Sequence, residues 1–319
     1  MIADGKRAEF SLQAKPITLT SLTHALGITR MRNTNKEKCM FKRILVVVAL
    51  ISLFSQTVLA GDSKGQILVL LSSESQMLLQ DGKTLSTGYY LNEFGVPADA
   101  FINAGYELIL ATPKGNAPVV DEKSVTVQYF AGSEAEMQRI TQVITSIPGI
   151  DDTLSLKEVI DGGLSHFKAV FIPGGHAPLI DLANNPEVGT ILTHFNAQAK
   201  PTAAICHGPI ALLSPQQNPQ AFQQALVAQN NATTKDWIYA GYNMTIFSNE
   251  EEAVFEASLN GEKLQYYPGK AMQQAGGRMQ FSEAWSSNVV VDRELITGQN
   301  PFSDKALAAA VLKQLDSKH

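Results

Sequence analysis

The chain has 319 residues, 45% of them hydrophobic and 17% charged, with 25 basic and 30 acidic side chains and a net charge of −5. This composition excludes a disordered chain and a polytopic membrane protein, and the length suits one large domain or two small ones. Nine of the basic residues but three of the acidic ones fall in the first sixty, so residues 61–319 carry a net charge near −11. Such a surface argues against nucleic acid or an anionic membrane as partner.

The first feature along the chain is the apolar run 44–53, which follows Lys42 and Arg43 and precedes Val58-Leu59-Ala60. A basic flank, a short apolar stretch and a small-x-small site read as a secretory leader cut after Ala60. About ten apolar residues are too few for the roughly twenty that span a bilayer. The leader occupies residues 40–60 with Met40 as its start. Residues 1–39 have no apolar periodicity and read as a mis-assigned gene start or an unstructured extension. The expected location is secreted or periplasmic, with no membrane contact after cleavage. Cleavage also removes Cys39, leaving Cys206 as the one cysteine of residues 61–319 and no intramolecular disulfide.

Residues 66–71 predict a strand, 88–104 a helix closed by Gly105, and 107–111 a second strand before Pro113. Helical segments 133–146 and 186–199 alternate with compact apolar runs at 169–172 and 202–205. This alternation predicts a parallel sheet with helices on both faces and a site at the carboxyl ends of its strands. Residues 214–237 are rich in Gln, Asn and Pro and read as an insertion, with Asn218-Pro219 starting a short surface helix. Beyond it come a strand at 244–247, a hairpin of 288–291 with 295–297, and an amphipathic helix from 304 to about 315. The sequons at Asn231 and Asn243 read as chance matches. No repeat or linker divides 61–319, which is expected to be a single domain.

Three segments carry chemistry. Ala203-Ala204-Ile205-Cys206-His207-Gly208-Pro209 sits where an apolar strand meets a helix start, a pattern that resembles a nucleophile elbow with Ala204 in place of its first glycine. A helix from Pro209 would aim its positive end at the sulfur and lower the thiol pKa below about 8.5, although an isolated cysteine is more often a core residue. Phe171-Ile172-Pro173-Gly174-Gly175-His176 ends another strand in two glycines, whose N–H groups could form an oxyanion site with that of His207. Gly175 is the leading candidate there, with Gly174 and the His176 side chain as further ones. Glu93, within Gly88-Tyr89-Tyr90-Leu91-Asn92-Glu93-Phe94, is a carboxyl in apolar surroundings that could exchange protons near neutrality; by itself it reads more readily as a solvated helix residue.

Taken together, Gly-x-x-x-x-Glu, Pro-Gly-Gly-His, Ala-Ile-Cys-His-Gly-Pro, Phe247-Ser248-Asn249-Glu250-Glu251-Glu252 and Leu295-Ile296-Thr297-Gly298-Gln299-Asn300-Pro301 resemble the ThiJ/PfpI (class I glutamine amidotransferase-like) superfamily. They are closest to its glyoxalase III and heat-shock-chaperone branch, over about residues 66–315. The resemblance implies a flavodoxin-like α/β three-layer sandwich with a mainly parallel central sheet and a nucleophile elbow. It implies Cys206 as nucleophile, Glu93 as the carboxyl that hydrogen-bonds the thiolate and moves protons, and His207 as base. An acidic residue would orient His207; the position maps to Glu252 with Glu251 second, although three consecutive glutamates also suit a solvated helix start.

The implied activity is a cysteine-dependent conversion of small reactive carbonyls, such as methylglyoxal to lactate, of the hydro-lyase type. No cofactor or metal is expected, since the chain has no Gly-rich phosphate loop and no clustered His/Cys ligand set. The alternatives implied are a stress chaperone or holdase, and a cysteine amidase or peptidase. Glutamine amidotransfer is disfavoured: the related glutaminases place a His-x-Glu pair late in the chain, and here His319 is the only histidine after His207. Family analogy further implies a homodimer.

Overall fold

Five short apolar segments lie side by side as parallel strands: β1 (Gln66–Leu70), β2 (Glu107–Thr112), β3 (Leu154–Ser155), β4 (Phe167–Ile172) and β5 (Thr202–Ile205). A hairpin of β6 (Val289–Asp292) and β7 (Leu295–Gly298) completes the sheet, with β7 parallel to β5 and β6 antiparallel at the edge. The strand order is β6-β7-β5-β4-β1-β2-β3. This is a computed structural model, and it describes residues 63–317. The leader at 40–60 and the extension at 1–39 therefore lie outside the described residues. Among the described residues, no helix is long and apolar enough to cross a membrane.

The longer helices are α1 (Leu91–Asn103), α2 (Glu134–Ser146), α3 (Pro186–Ala197), α4 (Pro219–Val227), α5 (Asn249–Ala257) and α6 (Asp304–Asp316). Because side chains alternate across a strand, each apolar run supplies two cores. Ile67, Val69, Phe171, Ala203 and Ile205 pack with Phe94 and Phe101 of α1, Ile140 and Ile144 of α2, and Leu307 and Val311 of α6. Leu68, Leu70, Val170, Ile172 and Ala204 pack on the other side with Val188, Ile191 and Phe195 of α3. The result is the expected three-layer α/β arrangement with a mainly parallel sheet. Helix starts follow local chemistry: the Ser133 and Asn185 side chains accept backbone N–H groups of α2 and α3, and Pro186 occupies the first turn of α3.

Several predicted elements shift. The helix expected from residue 88 starts at Leu91, because Tyr89 bridges Val120 as extended chain and a Cβ on Gly88 would lie 2.0 Å from the Val119 carbonyl. The strand expected at 244–247 shrinks to Asn243–Met244, paired with Arg278–Met279. Beyond it, the Thr245 N–H turns to Thr297 Oγ1 and the Phe247 N–H to the Cys206 carbonyl, so the chain is anchored across the sheet end rather than in a ladder. Within 214–237, Asn218 caps α4 as its sequence suggests. Phe222, Leu226 and Trp237 are nevertheless buried in the same core as α3, and Trp237 Nε1 donates to the Leu212 carbonyl at 2.6 Å.

The rings of Phe101 and Phe171 meet edge to face at 5.6 Å and 84° between α1 and β4, and both are fully buried. Phe101→Ala should cost about 3–5 kcal/mol of stability. Urea unfolding followed by circular dichroism checks this; an unchanged midpoint would contradict the packing described.

Candidate active site

β5 ends at Ile205, and the next residue turns the chain sharply: Cys206 has φ 58°, a left-handed conformation unfavourable for a side chain with a Cβ. Its backbone is held on both sides, the N–H donating to the Gly298 carbonyl and the carbonyl accepting from the Phe247 N–H, each at 2.9 Å. Held in this way, the strained turn keeps its shape. Gly208 lets the elbow press on β4, since a Cβ there would lie 2.3 Å from the Ile172 carbonyl.

The helix expected to start near Pro209 is a six-residue 3-10 segment, Gly208–Leu213. The predicted lowering of the thiol pKa is not found. Cys206 is 2% exposed, and burial pushes its thiol up. An ionised Glu93 would push it further, while the Gly175 N–H opposes the shift. Desolvation thus outweighs what so short a segment offers.

The Pro-Gly-Gly turn and α1 close the other side of the sulfur. A Cβ on Gly174 would lie 2.3 Å from Glu93 Oε2 and 2.6 Å from Cys206 Cβ, so only glycine allows carboxyl and cysteine to approach. Gly175 has φ +86°, and a Cβ there would lie 2.0 Å from the Gly88 carbonyl. Glu93 is fully buried, and neither of its oxygens has a hydrogen bond of ordinary geometry. Burial raises its pKa to about 8, with the nearby Cys206 thiol and Gly175 N–H acting in the opposite sense. At neutral pH Glu93 is therefore mostly a neutral acid that can donate toward the sulfur.

His207 faces the sulfur from the next position, with Nδ1 3.2 Å from Cys206 Sγ. Its Nε2 lies 2.7 Å from Glu252 Oε1, so Nε2 carries the proton and Nδ1 presents its lone pair to the thiol. Burial and the adjacent His176 lower the His207 pKa to about 4, against the pull of Glu252. Burial would raise Glu252, but the two histidines overcome it and hold the carboxyl at about 2. His176 lies 3.3 Å from Glu252 Oε2 through its own Nε2. Its ring lies between that of His207 (centroids 3.9 Å apart, tilted by 37°) and that of Phe255, on which it stacks at 4.2 Å.

The structure thus brings together Cys206, His207, Glu93, Glu252, Gly174, Gly175 and His176, and separates Glu251 from them. Glu251 is the third residue of the α5 capping box, and its carboxylate accepts from the N–H groups of Ser248 and Trp285 and from the Asn300 and Gln299 amides. Ser248-x-x-Glu251 is a capping-box pattern, and that signal assigns Glu251 to the cap and leaves Glu252 for the histidine. Glu250 is exposed. The ligand cluster not evident in the sequence also forms here: donor atoms of His176, His207 and Glu252 lie within 4.8 Å of one another, a set that could hold a metal ion. In this arrangement the two Nε2 atoms are instead spent on hydrogen bonds to the carboxylate.

A family profile described as ThiJ/PfpI family-like matches residues 85–268, more than half of the chain. The chain belongs to the ThiJ/PfpI family. This ThiJ/PfpI protein is 26% identical over 264 residues to a Pseudomonas aeruginosa protein named protein/nucleic acid deglycase HchA, covering 78% of this chain and 80% of the relative. A Staphylococcus aureus protein of the same name is 24% identical over 265 residues, covering 80% and 81%. The crystal structure of glyoxalase III from Candida albicans superposes with a TM-score of 0.60 at 21% identity, over 78% of this chain and 96% of that one, and shares its fold.

The buried titrations of this ThiJ/PfpI site have opposite signs. Glu252 and His207 are held below their ordinary values, so the unfolded chain binds more protons and their contribution to stability grows as pH rises toward about 6.5. Glu93 is held above its ordinary value, so its contribution is lost as pH rises from about 4.5 toward about 8. Of these three groups, only Glu93 titrates between about pH 6.5 and 8, where it should lower wild-type stability by up to about 1.4 kcal/mol per unit of pH. Glu93→Gln should abolish this slope in urea titrations at stepped pH; a slope retained in the variant would show that another group causes it.

Proposed function

We propose that this protein is a cysteine-dependent enzyme of the glyoxalase III and deglycase type, acting on small reactive carbonyls without a dissociable cofactor. The observation that carries the reading is the buried chain Cys206–His207–Glu252, faced across the sulfur by the neutral carboxyl of Glu93. The relatives named deglycases and the glyoxalase III fold support it.

With methylglyoxal, Cys206 Sγ adds to the aldehyde carbon while the thiol proton passes to His207 Nδ1. The imidazolium that forms is balanced by Glu252, 2.7 Å from Nε2. The new oxyanion lies near the Gly175 N–H and takes a proton from Glu93, giving a neutral hemithioacetal. Glu93 and His207 then move the C1 proton through an enediol to C2, leaving a thioester, and water cleaves it to lactate and the free thiol. Overall, one water is added and no electrons leave the substrate. A buried thiol suits this route, because proton transfer can accompany attack and no standing thiolate is needed.

The same chemistry would reach carbonyl adducts on proteins. Nucleic acid is the less supported target, since a net charge near −11 over residues 61–319 repels a phosphate backbone. Export with cleavage after Ala60 is also proposed, on the pattern of residues 40–60 alone, and N-terminal sequencing of the natural protein tests it.

Lactate formation from methylglyoxal, without glutathione or added metal, should be abolished in Cys206→Ser and fall about a hundredfold in Glu252→Gln. Equal rates in wild type and Cys206→Ser would overturn the reading.

A further inference from the structure

Three aromatic residues from separate segments form a row leading away from the thiol. Tyr90 is the extended residue immediately before α1, three positions before Glu93. Its N–H donates to the carbonyl of Gly174, the residue pressed against Cys206 and Glu93. The Tyr129 ring, in the 3-10 turn Val127–Phe130, lies 5.8 Å from Tyr90 at 55°. Phe302, in the turn Pro301–Ser303, lies 5.6 Å from Tyr129 at 55°. Exposure increases outward: Tyr90 and Tyr129 are half-buried, and Phe302 is 38% exposed.

The relay of Cys206, His207, Glu252 and Glu93 uses none of the three. Both phenols nevertheless lie within the electrostatic reach of Cys206 and Glu93, and burial keeps their hydroxyls protonated. The backbone that carries the outer ring is held in place. Asn300 Oδ1 accepts from the Phe302 N–H at 3.0 Å, and Asn300 Nδ2 donates to Glu251 at 2.8 Å, on the helix that carries Glu252. A row fixed in this way offers a flat apolar contact at little ordering cost.

We infer that Tyr90, Tyr129 and Phe302 form the wall that receives the substrate's side chain, and that they favour α-oxoaldehydes bearing an aromatic or other flat apolar group over methylglyoxal. The inference rests on the reactive-carbonyl reading and specifies its substrate class. A methyl group offers such rings little area, whereas a phenyl group offers a flat face that can stack on them. Aromatic contacts of this kind correspond to a preference of up to about tenfold.

The test compares alkylation of Cys206 by phenacyl bromide and by bromoacetone, in each of which sulfur displaces bromide, followed by mass spectrometry. The phenacyl-to-acetonyl rate ratio is divided by the same ratio for N-acetylcysteine. It should be about ten in wild type, fall severalfold in Phe302→Ala and Tyr129→Ala, and return in Phe302→Tyr. A normalised wild-type ratio near one overturns the inference whatever the variants do, as does a high ratio unmoved by both alanine substitutions in variants that keep the wild-type circular dichroism spectrum. Turnover of phenylglyoxal and methylglyoxal is measured alongside. A high, wall-dependent ratio with no turnover of either would sink the enzymatic reading and leave the wall standing.

Discussion

The site depends on one close backbone contact, the approach of the Pro-Gly-Gly turn after β4 to the elbow after β5. There is no room for a Cβ at Gly174, Gly175 or Gly208. These glycines bring the end of one strand against the end of its neighbour, with Cys206 on one side and Glu93 on the other. The parallel pairing of β4 with β5 sets the approach, and the left-handed turn at Cys206 directs the sulfur into the gap. Any side chain at Gly174 would push the Glu93 carboxyl away from Cys206.

Electrostatics then assigns roles that residue type leaves open. Two buried carboxyls lie near the same cysteine and histidine, yet they take opposite protonation states. Glu252 has two imidazoles for partners and is ionised; Glu93 has no partner of comparable strength and is neutral at pH 7. Environments that push two carboxyls apart separate an orienting anion from an acid. His176 contributes to this division by occupying the second Glu252 oxygen and packing its ring against that of His207, so that Glu252 has an imidazole on each oxygen.

Much of the fold was legible because each central strand is a short apolar run bounded by turn residues, and because α2 and α3 announce themselves through Ser133 and Asn185-Pro186. The elbow and the double-glycine turn were legible because each is contiguous. Other features depend on tertiary geometry. The segment after Cys206 winds as a 3-10 turn within the core, and apolar content alone does not distinguish that from an α-helix. Thiol desolvation reflects what covers the sulfur, which local sequence does not encode. Glu252 emerged only with the aid of family likeness, although the capping box around Ser248 separates the glutamates on local chemistry. Tyr129 and Phe302 carry no local signal, since each sits in a three- or four-residue turn and they meet only when distant segments fold together.

The links through Glu251 and Asn300 bear on biosynthesis. Ribosomes deliver this chain from its amino end, so Cys206 emerges well before Glu252, and Glu252 well before the Gly298 carbonyl and the Asn300 amide that brace the elbow and α5. A nascent chain therefore carries an ordinary, unassisted thiol from the addition of Cys206 until residues 298–300 have been made. The buried arrangement is completed only once those residues have been added, so a product truncated before them lacks the brace on Cys206 and the Asn300 contact with Glu251.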